Sequence, residues 1–180
     1  MDLDGQGYAG REEFFARLRE EYSLTPTAMR AVETLFFDHV WCQPVVVAGV
    51  PEFMQAIVAH GFRLGIVTNG SVEAQLVKLK YRLADAVVIS TEVGVKKPDP
   101  AIFQAVIGQL HIVPQSRWLV GDNPMNDIWG AKQVGFGTGW VHRDLEWPDA
   151  VPLCYDVAGT KVTDVVDAIF AELEVYSGVV

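Results

Sequence analysis

Residues 61–81 read GFRLGIVTNGSVEAQLVKLKY, and this stretch decides the fold class. Its first part, which ends at Thr68, is a short apolar run without polar alternation, typical of a strand buried on both faces. Asn69 and Gly70 then turn the chain, and Ser71 is a favoured N-cap for the helical pattern that follows. A buried strand that turns directly into a helix is the repeating unit of a parallel sheet covered by helices.

The same unit recurs through the rest of the chain. The pattern predicts further strands at 86–90, 117–121 and 137–141, and further helices at 100–110, 126–135 and 160–174. One more helix, at 50–61, precedes the first strand and is stopped by Gly61. We therefore predict an α/β fold: a Rossmann-like core over residues 47–180, with a parallel sheet and helices on both of its faces.

Residues 1–46 have a different pattern. Charged residues surround Phe14 and Leu18 at helical spacing, which predicts a first helix. A second helix is expected after Thr25, with Pro26 in its first turn. We predict that this segment is a small, incomplete, all-helical cap.

Composition and charge exclude several classes of protein. Half of the 180 residues are hydrophobic, and 14 basic against 23 acidic side chains give a net charge of −9. That charge repels nucleic acid and anionic membranes, so neither is expected as a partner. Cys42 and Cys154 lack metal-ligand spacing, which favours buried reduced thiols. With no leader pattern and no apolar run near about 18 residues, we expect a cytoplasmic protein.

Three polar segments follow predicted strands. Thr68 lies beside a helix N-terminus, which offers a hydroxyl and backbone N–H groups to an anion. Lys97 precedes Pro98 in an extended loop, where its ammonium can neutralise a phosphoryl group. Asp122 and Asp127 follow the third strand, and grouped carboxylate oxygens suit Mg²⁺.

Each segment also has a plainer interpretation. The first is a turn with a serine cap, the second a solvated lysine pair, and the third a turn aspartate followed by a helix-start aspartate. About one strand-plus-helix repeat separates each segment from the next, however, so all three loops would gather at one edge of the sheet. A hydroxyl, an ammonium and a carboxylate at one edge describe a site for phosphate and a metal ion.

The chain contains GFRLGIVTNGS (61–71), STEVGVKKPDPAIF (90–103) and WLVGDNPMNDIWGAKQVGF (118–136). These segments resemble motifs two, three and four of the haloacid-dehalogenase-like (HAD) hydrolase superfamily, in the branch with a helical cap. The resemblance covers roughly residues 45–142. It implies magnesium-dependent hydrolysis of a small phosphorylated substrate, a phosphomonoester, through an aspartyl-phosphate.

The resemblance also implies roles for individual residues. The implied catalytic residues are Thr68, Lys97 and Asp127; the implied phosphate-binding residues are Thr68, Asn69, Gly70 and Lys97; the implied magnesium ligands are Asp122 and Asp127. Asp127 would bind the metal or orient its water shell. The Gly121-Asp122 pair is similar to the magnesium-using phosphatases of the superfamily rather than to its dehalogenases, which work without a metal.

The opening residues, MDLDGQGYAGREEFF (1–15), allow three interpretations. Asp2 and Asp4 fit the nucleophile and acid/base pair of the family's DxDxT motif, but Gln6 replaces the threonine and only Met1 precedes the pair. Residues 2–13 also match the ligand positions of a calcium loop, without its incoming helix. We favour the third interpretation, an acidic turn that leads into a cap helix.

On that interpretation the nucleophile strand lies upstream of Met1, so the N-terminus is truncated and the printed chain is inactive. The alternative function is a non-catalytic remnant that binds phosphate or a metal. In the family the missing strand separates the strands that end at Thr68 and before Asp122. We expect these strands to pair directly, or a swapped or upstream strand to fill the position, because a gap leaves buried backbone groups unpaired.

Two further surfaces follow from the pattern. Trp140, His142 and Arg143 come at the end of the last predicted strand, at the same edge as the site, and their segment, WVHRDLEWPD (140–149), is a candidate for lining its mouth. In the cap, an apolar face around Phe36, Phe37 and Trp41 would be exposed in part if a cap helix is missing. The sequence leaves open whether two copies of the chain form a homodimer through that face.

Overall fold

The computed structural model describes residues 11–41, 45–47, 50–79, 84–112 and 117–177. Residues 1–10 lie outside that set, so the three interpretations of Asp2 and Asp4 stay predictions. The chain divides into two compact units, Met1–Val45 and Val46–Val180. This division falls one residue before the boundary between cap and core that the sequence predicts.

The N-terminal unit is helical over its described residues. Its helices are α1 (Arg11–Glu21) and α2 (Pro26–Phe36), and a π-helical turn (Phe37–Trp41) follows α2. Thr25 is the N-cap of α2, since its hydroxyl accepts a hydrogen bond from the Ala28 N–H at 3.2 Å. The rings of Phe14, Phe15 and Phe36 lie 5.2–5.6 Å apart and pack α1 on α2. Both predicted helices are therefore confirmed.

The C-terminal unit alternates strands and helices. Its strands are β1 (Gly65–Thr68), β2 (Ala86–Ile89), β3 (Trp118–Gly121), β4 (Gly137–Val141) and β5 (Val157–Gly159). Its helices are α3 (Val50–Ala59), α4 (Val72–Lys78), α5 (Ser90–Val93), α6 (Pro100–Leu110), α7 (Gly130–Lys132), which a π-helical segment (Pro124–Trp129) directly precedes, and α8 (Val162–Ser177). The sequence predicts neither β5 nor α5, because three or four residues are too short to show a period.

The strands form two parallel sheets, β1–β2 and β3–β4–β5. The register pairs Thr68 with Ile89 and Gly121 with Trp140, so these strand ends lie side by side within each sheet. Among the described strands, β1 and β3 are not hydrogen-bonded neighbours. Of the three alternatives expected here, direct pairing of β1 with β3 is therefore wrong, and the swapped or upstream strand stays a prediction. Each of the two strands keeps one edge without a strand partner in the described part of the chain.

Helices pack against both sheets, and they cover both faces at β3. A first cluster joins β1, β2 and β3 to α6 through Val67, Val88, Leu119, Ile102, Phe103 and Val106. A second cluster joins β3 and β4 to α8 through Val120, Val141, Val165 and Ile169. Leu119 and Val120 are adjacent in β3 yet pack into different clusters, as alternation along a strand requires. The predicted α/β architecture with two covered faces is confirmed.

Cys154 is a free thiol of intermediate burial, less enclosed than the sequence predicts. Partial burial raises the pKa of its thiol, with the nearby Lys132 charge acting in the opposite direction. The thiol is therefore protonated at neutral pH. Cys42 lies outside the described residues.

Within the described ranges, no helix combines the length and the apolar character that a membrane crossing needs.

Candidate functional site

The predicted site residues follow the carboxyl ends of β1, β2 and β3, and hydrogen bonds tie their loops together. Asn69 is the connection between the first two loops. Its Oδ1 accepts a hydrogen bond from the Lys97 N–H at 2.8 Å, and its Nδ2 donates to the Lys97 carbonyl at 3.1 Å. One carboxamide thus satisfies both backbone groups of Lys97, as a neighbouring strand would. The backbone of the predicted catalytic lysine is therefore fixed by the residue that follows β1.

Lys97 and Asp127 form the buried ion pair of the site. The Lys97 Nζ lies 2.5 Å from the Asp127 Oδ1, and the two side chains are only 15% and 8% exposed. The second carboxylate oxygen, Oδ2, accepts a hydrogen bond from the Asn123 N–H at 3.0 Å. Both oxygens of Asp127 therefore have protein donors, as a carboxylate at this depth requires.

Gly121, the last residue of β3, permits the close approach of Asp127. A Cβ atom at position 121 would lie 2.5 Å from the Cβ of Asp127. Asn123 completes this loop: its side chain accepts a hydrogen bond from the Asn126 N–H at 2.7 Å and caps the π-helical segment. Asn123 is not among the site residues predicted from the sequence, although an asparagine directly before a proline is a common signal of a helix start.

The turn after β1 is held by residues that sequence analysis also missed. Gly70 has a φ of 143°, and its N–H donates to the Ser90 hydroxyl at 3.0 Å. The Thr91 hydroxyl donates to the Gly70 carbonyl at 3.0 Å, and the Gln75 Nε2 donates to the Asn69 carbonyl at 3.0 Å. These contacts fix the loop that carries Asn69. No local pattern marks Ser90 or Gln75, since each acts on a residue in another turn or element.

Thr68 ends β1 and is half-buried. Its hydroxyl lies 3.5 Å from the Asn69 carbonyl, at the outer limit of a hydrogen bond. The hydroxyl therefore has capacity for a stronger partner at the carboxyl end of the strand. The phosphate-binding roles of Thr68, Asn69, Gly70 and Lys97 stay predictions.

Asp122 has a different environment from Asp127. Its Oδ2 lies 2.8 Å from the Nη2 of Arg143, and the two side chains are 50% and 68% exposed. The Asp122 carbonyl accepts a hydrogen bond from the Trp140 Nε1 at 3.1 Å. Two residues at the end of β4 therefore hold Asp122, one through its backbone and one through its carboxylate.

The rings after β4 form an aromatic cluster around Trp140. The Trp140 ring lies 5.4 Å from the His142 ring, 4.9 Å from the Trp147 ring and 5.5 Å from the Tyr155 ring. Trp147 also donates its Nε1 hydrogen to the Val151 carbonyl at 2.8 Å. Trp147 belongs to the segment 140–149 that the sequence predicts for this edge, whereas Tyr155 reaches the cluster from outside that segment and was not predicted.

The donor set at this edge fits magnesium in its chemistry. In the described residues, no group of three or more His, Cys, Asp or Glu side chains is arranged to hold a metal. Magnesium needs only one or two carboxylates, because it keeps several waters and takes oxygens from a substrate phosphate. The exposed carboxylate of Asp122 can supply such an oxygen, whereas Asp127 already has two protein donors.

A family profile described as haloacid dehalogenase-like hydrolase matches residues 3–135. The chain belongs to the HAD-like hydrolase family. It is an enzyme family, and the curated relatives of this HAD-like chain include phosphatases. The chain is 34% identical to phosphoserine phosphatase from Thermus thermophilus over 151 residues, which are 79% of this chain and 59% of that relative. It is 42% identical to glyceraldehyde 3-phosphate phosphatase from Pyrococcus abyssi over 84 residues, which are 44% of this chain and 35% of that relative.

The solved structures also include HAD-like neighbours. One is a Bacillus subtilis protein of the superfamily, solved with magnesium bound, with a TM-score of 0.68 and 20% identity. The alignment covers 91% of this chain and 74% of that one. At this identity the likeness supports the fold. The HAD-like chain described here spans less than two thirds of the length of either curated relative.

Proposed function

We propose that the chain carries the phosphate-binding and metal-binding part of a magnesium-dependent phosphomonoester hydrolase. The observation that carries the proposal is the buried Lys97–Asp127 pair, braced by the Asn69 carboxamide at the carboxyl end of β1. An ammonium group held rigidly in a partly dehydrated site stabilises charge on a transferring phosphoryl group without reorganising. The buried, fully bonded Asp127 is the group that keeps this ammonium in position.

The remaining roles follow from the chemistry of each side chain. The Thr68 hydroxyl donates a hydrogen bond to a phosphoryl oxygen, since its described contact within the chain is weak. Asp122 holds the metal through its exposed carboxylate. When bound, magnesium supplies positive charge that neutralises the phosphate and the attacking oxygen. Asn69 and Gly70 set the shape of the loop that receives the phosphate.

The attacking group in this proposal is an aspartate that forms an aspartyl-phosphate, with a second aspartate as general acid and base. The strand that carries this pair would lie between β1 and β3. Its place is supported by the unpaired edges of these two strands in the described part of the chain. Such a strand, parallel to both, would end beside Thr68 and Gly121. The described residues alone therefore should not turn over a phosphate ester.

The substrate in this proposal is a small phosphorylated molecule. The relatives named phosphoserine phosphatase and glyceraldehyde 3-phosphate phosphatase support this class. The negative net charge of the chain and the buried cation at the site are also compatible with a small anion rather than a polyanion.

The test is hydrolysis of p-nitrophenyl phosphate with and without magnesium. We expect no turnover from the printed chain, and turnover when an apolar strand ending in Asp-x-Asp-x-Thr is fused before Met1. The matched control is the same fusion with asparagine for the first aspartate. Robust turnover by the printed chain that Asp2→Asn abolishes would instead locate the nucleophile at Asp2.

A second candidate is phosphate binding without turnover. It is favoured by the same braced loops, which are complete without a nucleophile strand. Isothermal titration of the printed chain with inorganic phosphate tests it. We expect heat of binding in the parent chain and its loss in Lys97→Met, whereas unchanged binding in that variant would remove Lys97 from the site.

A further inference from the structure

The turn that follows β4 holds its residues in an uncommon backbone conformation. Arg143 and Asp144 have φ angles of 49° and 64°, in the left-handed region that residues with side chains rarely adopt. The Leu145 N–H donates to the His142 carbonyl at 2.8 Å, and the Asp144 N–H donates to the His142 Nδ1 at 3.1 Å. Two positive φ angles inside such a hydrogen-bonded turn are the mark of a type I′ turn. Backbone strain of this kind persists only where the surroundings impose it.

The base of this turn is anchored in the sheet. The His142 N–H donates to the Gly159 carbonyl of β5 at 3.0 Å, and the His142 ring packs on Trp140. Trp140 in turn donates its indole hydrogen to the Asp122 carbonyl. The backbone of Arg143 is therefore fixed relative to Asp122, while its side chain is 68% exposed. A fixed base and an exposed charged end suit a side chain that can exchange partners.

Of the two carboxylates after β3, Asp122 and Asp127, the one that Arg143 contacts can exchange its partner more easily. Asp127 is buried, and both of its oxygens have protein donors. Asp122 is half-exposed, and Arg143 is the cation that pairs with its carboxylate. An ion pair between exposed groups contributes little stability, because water and salt screen it. A cation of higher charge can therefore displace Arg143 at small cost.

We propose that Arg143 and a divalent cation compete for the carboxylate of Asp122. The proposal rests on the magnesium role assigned to Asp122 under the proposed function. Two positive charges cannot share one carboxylate oxygen without repulsion, so cation binding moves the guanidinium away from Oδ2. Arg143 thereby lowers the affinity of the site for divalent cations and keeps Asp122 paired when cations are scarce.

The experiment measures magnesium affinity directly by isothermal titration of the printed chain, so it does not depend on turnover. Arg143→Gln removes the charge and keeps a polar, though shorter, side chain. We expect magnesium to bind this variant about two- to fivefold more tightly than the parent, about 0.4–1 kcal/mol at 1.4 kcal/mol per tenfold change. Arg143→Lys keeps the charge but loses the planar fork, so its affinity should fall between the two.

Two control variants separate the causes. Lys161→Gln makes the same change in net charge at an exposed lysine outside the site and should leave magnesium affinity unchanged. Asp122→Asn removes the carboxylate itself and should abolish binding. Melting temperatures of all four variants without magnesium confirm that each is folded.

The outcomes are distinguishable. Tighter binding in Arg143→Gln with no change in Lys161→Gln supports the competition. Equal or weaker binding in Arg143→Gln, while Asp122→Asn loses binding, overturns the competition and leaves the magnesium role of Asp122 standing. Binding that survives in Asp122→Asn, or no binding in any protein, overturns the magnesium role and the competition with it.

Discussion

Asp122 directly follows β3 and Asp127 lies in the π-helical segment that comes next, yet the structure surrounds the two carboxylates differently. Asp127 is 8% exposed and bonds to Lys97 and to the Asn123 backbone. Asp122 is 50% exposed, and its carboxylate pairs with an arginine that is itself mostly in solvent. The same residue type, five positions apart, thus has a structural partner in one case and an exchangeable partner in the other.

The difference shows that burial decides which carboxylate keeps a permanent protein partner and which can exchange its partner for a ligand. A buried charge must be compensated by the protein at all times, so Asp127 is suited to hold Lys97 in place. An exposed carboxylate is compensated by water, salt or a nearby side chain in turn, so Asp122 is suited to bind and release a ligand. The stability of variants in this region should follow the same division.

The largest effect is expected from Lys97→Met, which leaves the buried Asp127 carboxylate without its cation. Removing one partner of a buried pair costs about 3 kcal/mol, which lowers Tm by about 6–12 °C in a chain of this size. Urea unfolding measures the loss. The double variant Lys97→Met, Asp127→Asn should lose less than the sum of the single changes, since it buries no unpaired charge. A loss below about 1 kcal/mol in Lys97→Met would contradict the claim that the buried Asp127 carboxylate needs the Lys97 charge for stability.

The next effect is expected from Gly121→Ala. The new Cβ would overlap the Cβ of Asp127, so the loop must shift at a cost of about 2 kcal/mol. Its control is Gly108→Ala, at an exposed position in the middle of α6, where the new Cβ would meet no atom within 4 Å outside the backbone of its own helix. This control should gain about 0.5 kcal/mol, because alanine favours a helix over glycine. Equal stability changes in both variants would show that Asp127 adapts easily.

A smaller, pH-dependent effect on the free energy of unfolding is expected at Asp156, which contacts neither Asp122 nor Asp127 in the described hydrogen bonds and ion pairs. Burial by itself raises the pKa of Asp156, but hydrogen bonds from Lys132 and Thr138 and the Lys132 charge together lower it below its ordinary value. Because the folded pKa is lowered, ionised Asp156 stabilises the fold above its unfolded pKa of about 4, and this contribution is lost as pH falls through the folded pKa.

Urea unfolding of the parent chain and of Asp156→Asn at a series of pH values between about 2 and 6 tests this. The difference in unfolding free energy between the two proteins should shrink as pH falls. A difference that does not change with pH would mean that Asp156 has no lowered pKa in the folded chain.

The smallest effect is expected from Asp122→Asn. An exposed pair contributes at most about 0.5 kcal/mol here, and the carbonyl contact with Trp140 survives the substitution. Urea unfolding without magnesium should therefore scarcely distinguish this variant from the parent. A loss as large as that of Lys97→Met would remove the contrast between the two carboxylates.

Much of the fold was predictable because it depends on local patterns. The bounds of α6 and β4 agree with the prediction residue for residue, α2 starts directly after Thr25 as predicted, and the predicted cap Ser71 forms. Hydrophobic period, capping residues and glycine stops act over only a few residues, so they can be read along the chain. The short elements β5 and α5 were not predictable, since their pairing and packing rather than their own residues define them.

The residues of the candidate site were predictable from the sequence, but most of the hydrogen bonds that join them were not. The order of strands and loops indicates that Lys97 and Asp127 share one edge of the sheet, and the structure pairs them. Nothing in the sequence indicates that Asn69 would bond to the backbone of Lys97 or that Ser90 would bond to Gly70. These partners are distant in sequence, and their meeting depends on how separate loops are set by the core.

The sequence by itself determined the alternation of strands and helices, the helical character of the first unit and the set of polar residues that follow the strands. Only the tertiary structure decided that β1 and β3 are not hydrogen-bonded neighbours, that Asp127 is enclosed by Lys97, and that Asp122 faces Arg143. The physical reason is range. Propensity and period act between near neighbours in the chain, whereas burial and ion pairing depend on which distant surfaces the packed core brings together.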